Sequence, residues 1–168
     1  LVASAGNNAQ TVILYNFLSK KFRQISFFSN SENTFKVLKN NTYFFDVGSA
    51  SQPESFYVHV YNNKTLEPES TFELQDLLPR RDHIAEGYIS PTEDYMVLSI
   101  WRNPPYSNEL AFYDMKGRKF FQIPYPPDSG FLDIYFSPLG RYAIIFQSIA
   151  ESTSYCCKET LMSVYKVF

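Results

Sequence analysis

Four short runs of this chain end alike. "TVILYN" (11–16), "FYVHVYN" (56–62), "ELAFYD" (109–114) and "LMSVYK" (161–166) are rich in β-branched and aromatic residues, and each has tyrosine second from last. Tyr15, Tyr61, Tyr113 and Tyr165 are separated by 46, 52 and 52 residues. Asn16, Asn62 and Asp114 follow the first three, and Asn and Asp open turns because their side chains bond the backbone two residues on. A second unit recurs between these runs. "EGYISPTEDYMVLSIW" (86–101) and "FLDIYFSPLGRYAIIFQ" (131–147) are both strand–turn–strand, with a weaker version in "TFKVLKNNTYFFDV" (34–47). Pro91 and Pro138 preset the φ of a tight turn, and Gly140 supplies a permissive φ just after it. A chain that repeats itself every 50 residues or so must fold as a repeat of one supersecondary unit.

Each unit contains four short β segments, here a, b, c and d. One four-stranded sheet cannot bury both of its faces alone, whereas blades stacked around an axis bury them against each other. A period of this size with four strands per unit therefore reads as a propeller blade. The composition agrees, since aromatic residues make up 18% of the chain, with 16 Phe and 13 Tyr, and large rings suit half-buried pleated surfaces.

On these motifs the chain resembles WD40-like and TolB-like β-propeller repeats. The "SPdG" turn of those repeats is matched by Ser90-Pro91 and by Ser137-Pro138-Leu139-Gly140. Their Trp-Asp at the end of strand c is replaced by Tyr-Asn or Tyr-Asp. Their Gly-His is absent, and His83, near its place, follows Asp82. The expected fold is all-β, a partial β-propeller of about three and a half four-stranded antiparallel blades. Residues 1–168 are read as one domain with blade parts 1–26, 27–75, 84–124 and 131–168. The strand order is b-c-d, then a-b-c-d twice, then a-b-c. Incomplete end blades leave open sheet edges, so the expectation is a segment of a larger propeller, or one completed by another chain.

Composition also limits function. The formal net charge is -2, which does not supply the basic footprint that phosphate-driven nucleic-acid binding needs. No apolar run reaches membrane-spanning length. There is no G-x-S-x-G, no H-E-x-x-H and no phosphate-binding glycine loop, so no catalytic site, metal site or cofactor is expected. Cys156 and Cys157 are adjacent, a strained geometry for a mutual disulfide, and read as two thiols at the start of a strand. Asn40 and Asn63 head N-x-Thr sequons, candidate glycosylation sites in turns of one face. The compartment stays open between intracellular and extracellular.

Function is expected on the face that carries the long b–c loops (48–55, 102–108, 148–160) and the d–a connections (75–86, 124–130), because binding concentrates on loops held by a rigid scaffold. The candidate partner-binding residues there are Arg80, Arg81, His83, Trp101, Arg102, Tyr106 and Tyr125. Arg, Trp and Tyr are the usual interface anchors. Each also has a structural reading: Trp101 as packing between blades, the Arg pair as a solvated turn, and the tyrosines as part of proline-stiffened loops. The reading is a non-catalytic protein–protein interaction scaffold. The alternatives are the propeller domain of a larger prolyl-oligopeptidase-type hydrolase, an extracellular structural subunit assembling through open blade edges, and a translation-factor-like propeller.

Overall fold

The structure is a computed structural model that describes residues 2–6, 9–28, 35–46, 56–77, 82–102, 107–125, 129–150 and 157–167. Fourteen strands form four antiparallel sheets of three, four, four and three strands. Sheet 1 holds β1 (Val2–Gly6), β2 (Ala9–Asn16) and β3 (Lys21–Phe28). Sheet 2 holds β4 (Phe35–Val37), β5 (Asn41–Asp46), β6 (Tyr57–Asn62) and β7 (Pro68–Glu73). Sheet 3 holds β8 (Asp82–Ile89), β9 (Tyr95–Arg102), β10 (Ser107–Asp114) and β11 (Lys119–Pro124). Sheet 4 holds β12 (Ser129–Phe136), β13 (Tyr142–Ala150) and β14 (Cys157–Lys166). Within each sheet, every strand pairs with its neighbour in sequence. The fold is the expected all-β partial propeller.

The sheets stack in chain order, and period-2 alternation along each strand assigns its two faces. On β9, Met96, Leu98 and Ile100 pack toward sheet 2 with Tyr43, Phe45 and Val58. The intervening Tyr95 and Val97 pack toward sheet 4 with Ile134, Ala143 and Ile145. All five of these β9 side chains are fully buried. Val12, Leu14 and Ile25 of sheet 1 meet Phe44 and Leu66 of sheet 2. Burying a large apolar side chain of this kind contributes about 1.5–3 kcal/mol. The three interfaces between sheets are thus the core.

The repeated tyrosines obey the same rule. Tyr113 is buried against sheet 2, Tyr61 packs on the cluster it shares with sheet 1, and Tyr165 packs on the cluster it shares with sheet 3. Each faces the preceding sheet. The Asn or Asp after the first three closes the c–d turn. Asn16 Oδ1 accepts from the N–H groups of Leu18 and Ser19, and Asn62 Oδ1 from those of Lys64 and Thr65. Asp114 Oδ1 accepts from those of Lys116 and Arg118. Burial alone would raise the Asp114 carboxyl. The bonds from Arg118 and Lys116 outweigh it and hold the group below the ordinary carboxylate range. A depressed folded-state value means stability that is present above the unfolded value and lost as pH falls through the folded one. Urea unfolding followed from pH 6 to pH 2.5 is expected to show this loss below about pH 4 in the wild type. Asp114→Asn is expected to be less stable at pH 6 and to lack this part of the acid dependence.

The a–b turns follow the Ser-Pro reading. Glu93 N–H donates to Ser90 O, and Gly140 N–H donates to Ser137 O. Glu93 (φ 60°) and Gly140 (φ 65°) occupy the same left-handed position. Ser90 Oγ accepts from the N–H of Asp94, and Ser137 Oγ from that of Tyr142. The turn serines cap their own hairpins.

Candidate functional site

The a–b and c–d turns share one end of the sheets. Asn63 joins them, since its Nδ2 donates to Leu38 O (2.7 Å) and its Oδ1 accepts from Thr42 Oγ1 (2.6 Å). A glycan on that nitrogen would displace the Leu38 bond, whereas Asn40 in the same corner is exposed. The opposite end carries the b–c and d–a loops. Arg80, Arg81 and Tyr106 lie outside the described residues. His83 and Arg102 stand inside strands rather than loops: His83 of β8 pairs with Trp101, and Arg102 of β9 pairs with Asp82 and Ser107. Strand residues extend into the segments 75–86, 102–108 and 148–160 that composition reads as loop. The alternation of Ile84 and Tyr88 with Ile100 and Val97 carries the β8–β9 ladder on past the polar residues at its rim.

Two of the expected residues are described in full. Trp101, the only Trp of the chain, is 56% exposed at the loop end of β9 and is not packed between sheets. Tyr125 follows β11, packs against the core between sheets 3 and 4, and meets Ser99 Oγ with its hydroxyl at 3.0 Å. Burial pushes the Tyr125 hydroxyl up, against the Ser99 bond, and the Glu86 charge adds to the rise.

Sequence reasoning missed the residues beside this pair. Strands β8 and β12 both carry a bulge, between Ile84 and Glu86 and between Phe131 and Asp133. Bulges re-aim side chains, and here each is followed by an acidic residue, Glu86 or Asp133. Tyr88 donates to the Glu86 carboxylate, and the Lys36 ammonium lies 4.8 Å from the centre of the Tyr88 ring. Burial first, and then the Glu86 bond, raise the Tyr88 hydroxyl. Strands β4 and β8 of neighbouring sheets come together here, and Lys36, Glu86 and Tyr88 gather at that contact. The signal was present as a charged residue inside each a strand: "FKV", "EGYI" and "LDIYF".

Chemically, the tyrosine hydroxyls stay protonated, Tyr88 donates to Glu86, and Trp101 offers an exposed ring. That set suits recognition by hydrogen bonds and stacking. Among the described residues no three His, Cys, Asp or Glu side chains are grouped to hold a metal ion. His59 Nδ1 pairs with Thr71 Oγ1 at 2.9 Å within sheet 2. No helix of the described residues is long and apolar enough to cross a membrane.

No family model and no curated protein matches the chain. Solved structures do. Hydrazine synthase of Kuenenia stuttgartiensis is similar over 96% of this chain and 46% of its own, with 13% identity and a TM-score of 0.59. The β-propeller domain of the Trilobed protease from Pyrococcus furiosus, described as having an open velcro topology, is similar over 99% of this chain and 52% of its own, with 10% identity and a TM-score of 0.57. The likeness places the fold among β-propellers, and the chain spans about half the length of these matches.

Proposed function

We propose that this chain is a non-catalytic, protein-binding propeller segment that docks its partner on the end bearing the b–c and d–a loops, and that its repeats are of the WD40-like or TolB-like kind. The observation that carries the reading is Trp101. An exposed tryptophan is held there at the rim of a sheet whose two faces are both packed, so the ring is presented without ordering a loop. Rigid aromatic anchors of this kind dominate interface energetics. Arg80, Arg81, His83, Arg102, Tyr106 and Tyr125 are proposed to surround it.

The test compares Trp101→Ala, and separately the triple replacement of Arg80, Arg81 and Tyr106 by Ala, with the wild type. Affinity capture is quantified by mass spectrometry and melting is followed in parallel. Trp101→Ala is expected to lower capture of the same partner by about tenfold or more, with melting shifted by no more than about 2 °C. Unchanged capture in both variants would contradict the face assignment.

A second reading has one specific support, the likeness to the propeller domain of a protease. In it the chain is the propeller of a larger prolyl-oligopeptidase-type hydrolase, and a hydrolase domain with a G-x-S-x-G strand–turn–helix on the same polypeptide would favour it.

A further inference from the structure

At the turn end of the sheets, a cleft of about 610 Å³ opens between sheets 1 and 2. One wall is the start of β3, with Lys20, Lys21 and Arg23. The other is the c–d turn of sheet 2, with Leu66 and Glu67. The lining is confined to residues 20–24 and 65–67, at the rim between two neighbouring blades.

Register explains how the charges meet. Lys21 pairs with Asn16, Arg23 with Leu14 and Ile25 with Val12. Val12, Leu14 and Ile25 pack toward sheet 2, so Lys21 and Arg23 stand on the face of β3 that looks at sheet 2. The Arg23 guanidinium is held in place. Its Nη1 donates to Leu66 O at 2.9 Å and to the Glu67 carboxylate, and its Cζ lies 5.8 Å from the centre of the Tyr61 ring. Asn16 Nδ2 donates to Asn63 O and to Lys64 O, each at 3.1 Å, and ties the two turns together. Walls fixed in this way lower the ordering cost of binding.

The lysines have no such duty. Lys20 and Lys21 are exposed, and neither ammonium has a partner among the described residues. Nor does the repeat demand a cation at this place. Where sheet 1 has Arg23 opposite the residue before the repeated tyrosine, sheet 2 has Ser70 and sheet 3 has Phe121. The basic wall is a property of this cleft and not of the fold.

Charge and size select the ligand. Lys20, Lys21 and Arg23 face one carboxylate, Glu67, which leaves a surplus of two positive charges in a chain whose net charge is -2. A phosphate monoester carries about −1.5 to −2 near pH 7. Arg binds it as a planar fork and Lys as a point charge. The volume lies in the range of small-molecule sites, about 300–1,000 Å³, and is more than a bare phosphate fills. We infer that this cleft binds a phosphomonoester-bearing ligand, its phosphoryl oxygens held by Lys20, Lys21 and Arg23, with Glu67 competing for Arg23. Two sources share this chemistry, a small soluble phosphate ester and a phospholipid headgroup with a terminal phosphate. The inference uses neither Trp101 nor the loop end, and it stands or falls separately from the binding role proposed there.

The test follows the backbone amide signals of the full chain as inorganic phosphate or glucose 6-phosphate replaces chloride at constant ionic strength. Cosedimentation with vesicles of phosphatidylcholine and phosphatidic acid is measured alongside. Glucose 6-phosphate is expected to give saturable shifts confined to residues 20–24 and 65–67, at lower concentration than inorganic phosphate. Such shifts identify a soluble ester, cosedimentation identifies a lipid headgroup, and either supports the inference. Replacing Lys20 and Lys21 together by Ala is expected to weaken binding about tenfold or more, and Glu67→Gln to tighten it about threefold. Both lysines are exposed, so the double variant is expected to melt like the wild type. If it does not, Lys20→Ala and Lys21→Ala singly make the same comparison. Four results would overturn the inference: no saturable response to glucose 6-phosphate or to the vesicles, shifts that lie outside the cleft, an affinity that the lysine replacements leave unchanged, or weaker binding with Glu67→Gln, which would make Glu67 part of the frame rather than a competitor.

Discussion

Gly117→Val is expected to cost at least about 4 kcal/mol, a large fraction of the stability of an ordinary domain. Gly117 sits in the c–d turn of sheet 3 with φ 78°, a conformation that costs a residue with a side chain about 1–2 kcal/mol. Steric overlap costs more. A Cβ there would lie 1.9 Å from the carbonyl oxygen of Glu73 and 2.8 Å from its carbonyl carbon. Those are backbone atoms at the end of β7 and cannot rotate away. The same approach lets Gln75 N–H donate to Gly117 O at 2.9 Å, so the turn is clipped to the preceding blade. Urea denaturation measures the loss, and one below about 1 kcal/mol would show that the blades are not held this closely.

Tyr95→Ala is expected to cost about 3–5 kcal/mol, the range for emptying a large aromatic site in a packed core. The side chain is fully buried, edge-on to Phe136 and stacked on Phe112. Tyr95→Phe keeps the ring and loses the bond to Gly140 O, so its expected cost is about 1 kcal/mol. Burial, and then the charge of Asp94, push the Tyr95 hydroxyl up to about 12. A raised value means that stability is present below the unfolded value and is lost as pH rises through the folded one. Tyr95→Phe is therefore expected to lose less stability than the wild type between about pH 10 and pH 12. Tyr142→Phe, at the equivalent place on sheet 4, is expected to change melting by less than about 1 °C.

The fold was legible because its determinants are local. Alternation in "YMVLSIW" and "YAIIFQ" announces strands packed on both faces, and the Ser-Pro turns and the Asn or Asp after each tyrosine punctuate them. From these the strand number and order follow. The residues of the site were less legible. Nothing in the residue types at Ala85 and Leu132 marks a bulge, yet the bulges decide where Glu86 and Asp133 fall. Polar residues such as Asp82 and Arg102 read as loop in the sequence, while cross-strand pairing keeps them in the ladder. The bonds from Asn41 to Glu93 and from Tyr95 to Gly140 span neighbouring blades, and no spacing within one repeat encodes them. Residue type and a place at the end of strand b point to Trp101 in the sequence, and its exposure comes only with the fold.

The central claim is that four sheets stack in chain order, with adjacent residues of one strand facing opposite neighbours. Methyl nuclear Overhauser contacts on β9 test it most directly. Val97 is predicted to show cross-peaks to Ala143 and Ile145 of sheet 4, and Leu98 to Val58 and Val60 of sheet 2. Contacts from both residues to the same sheet, or exchanged between the two, would contradict the stacking.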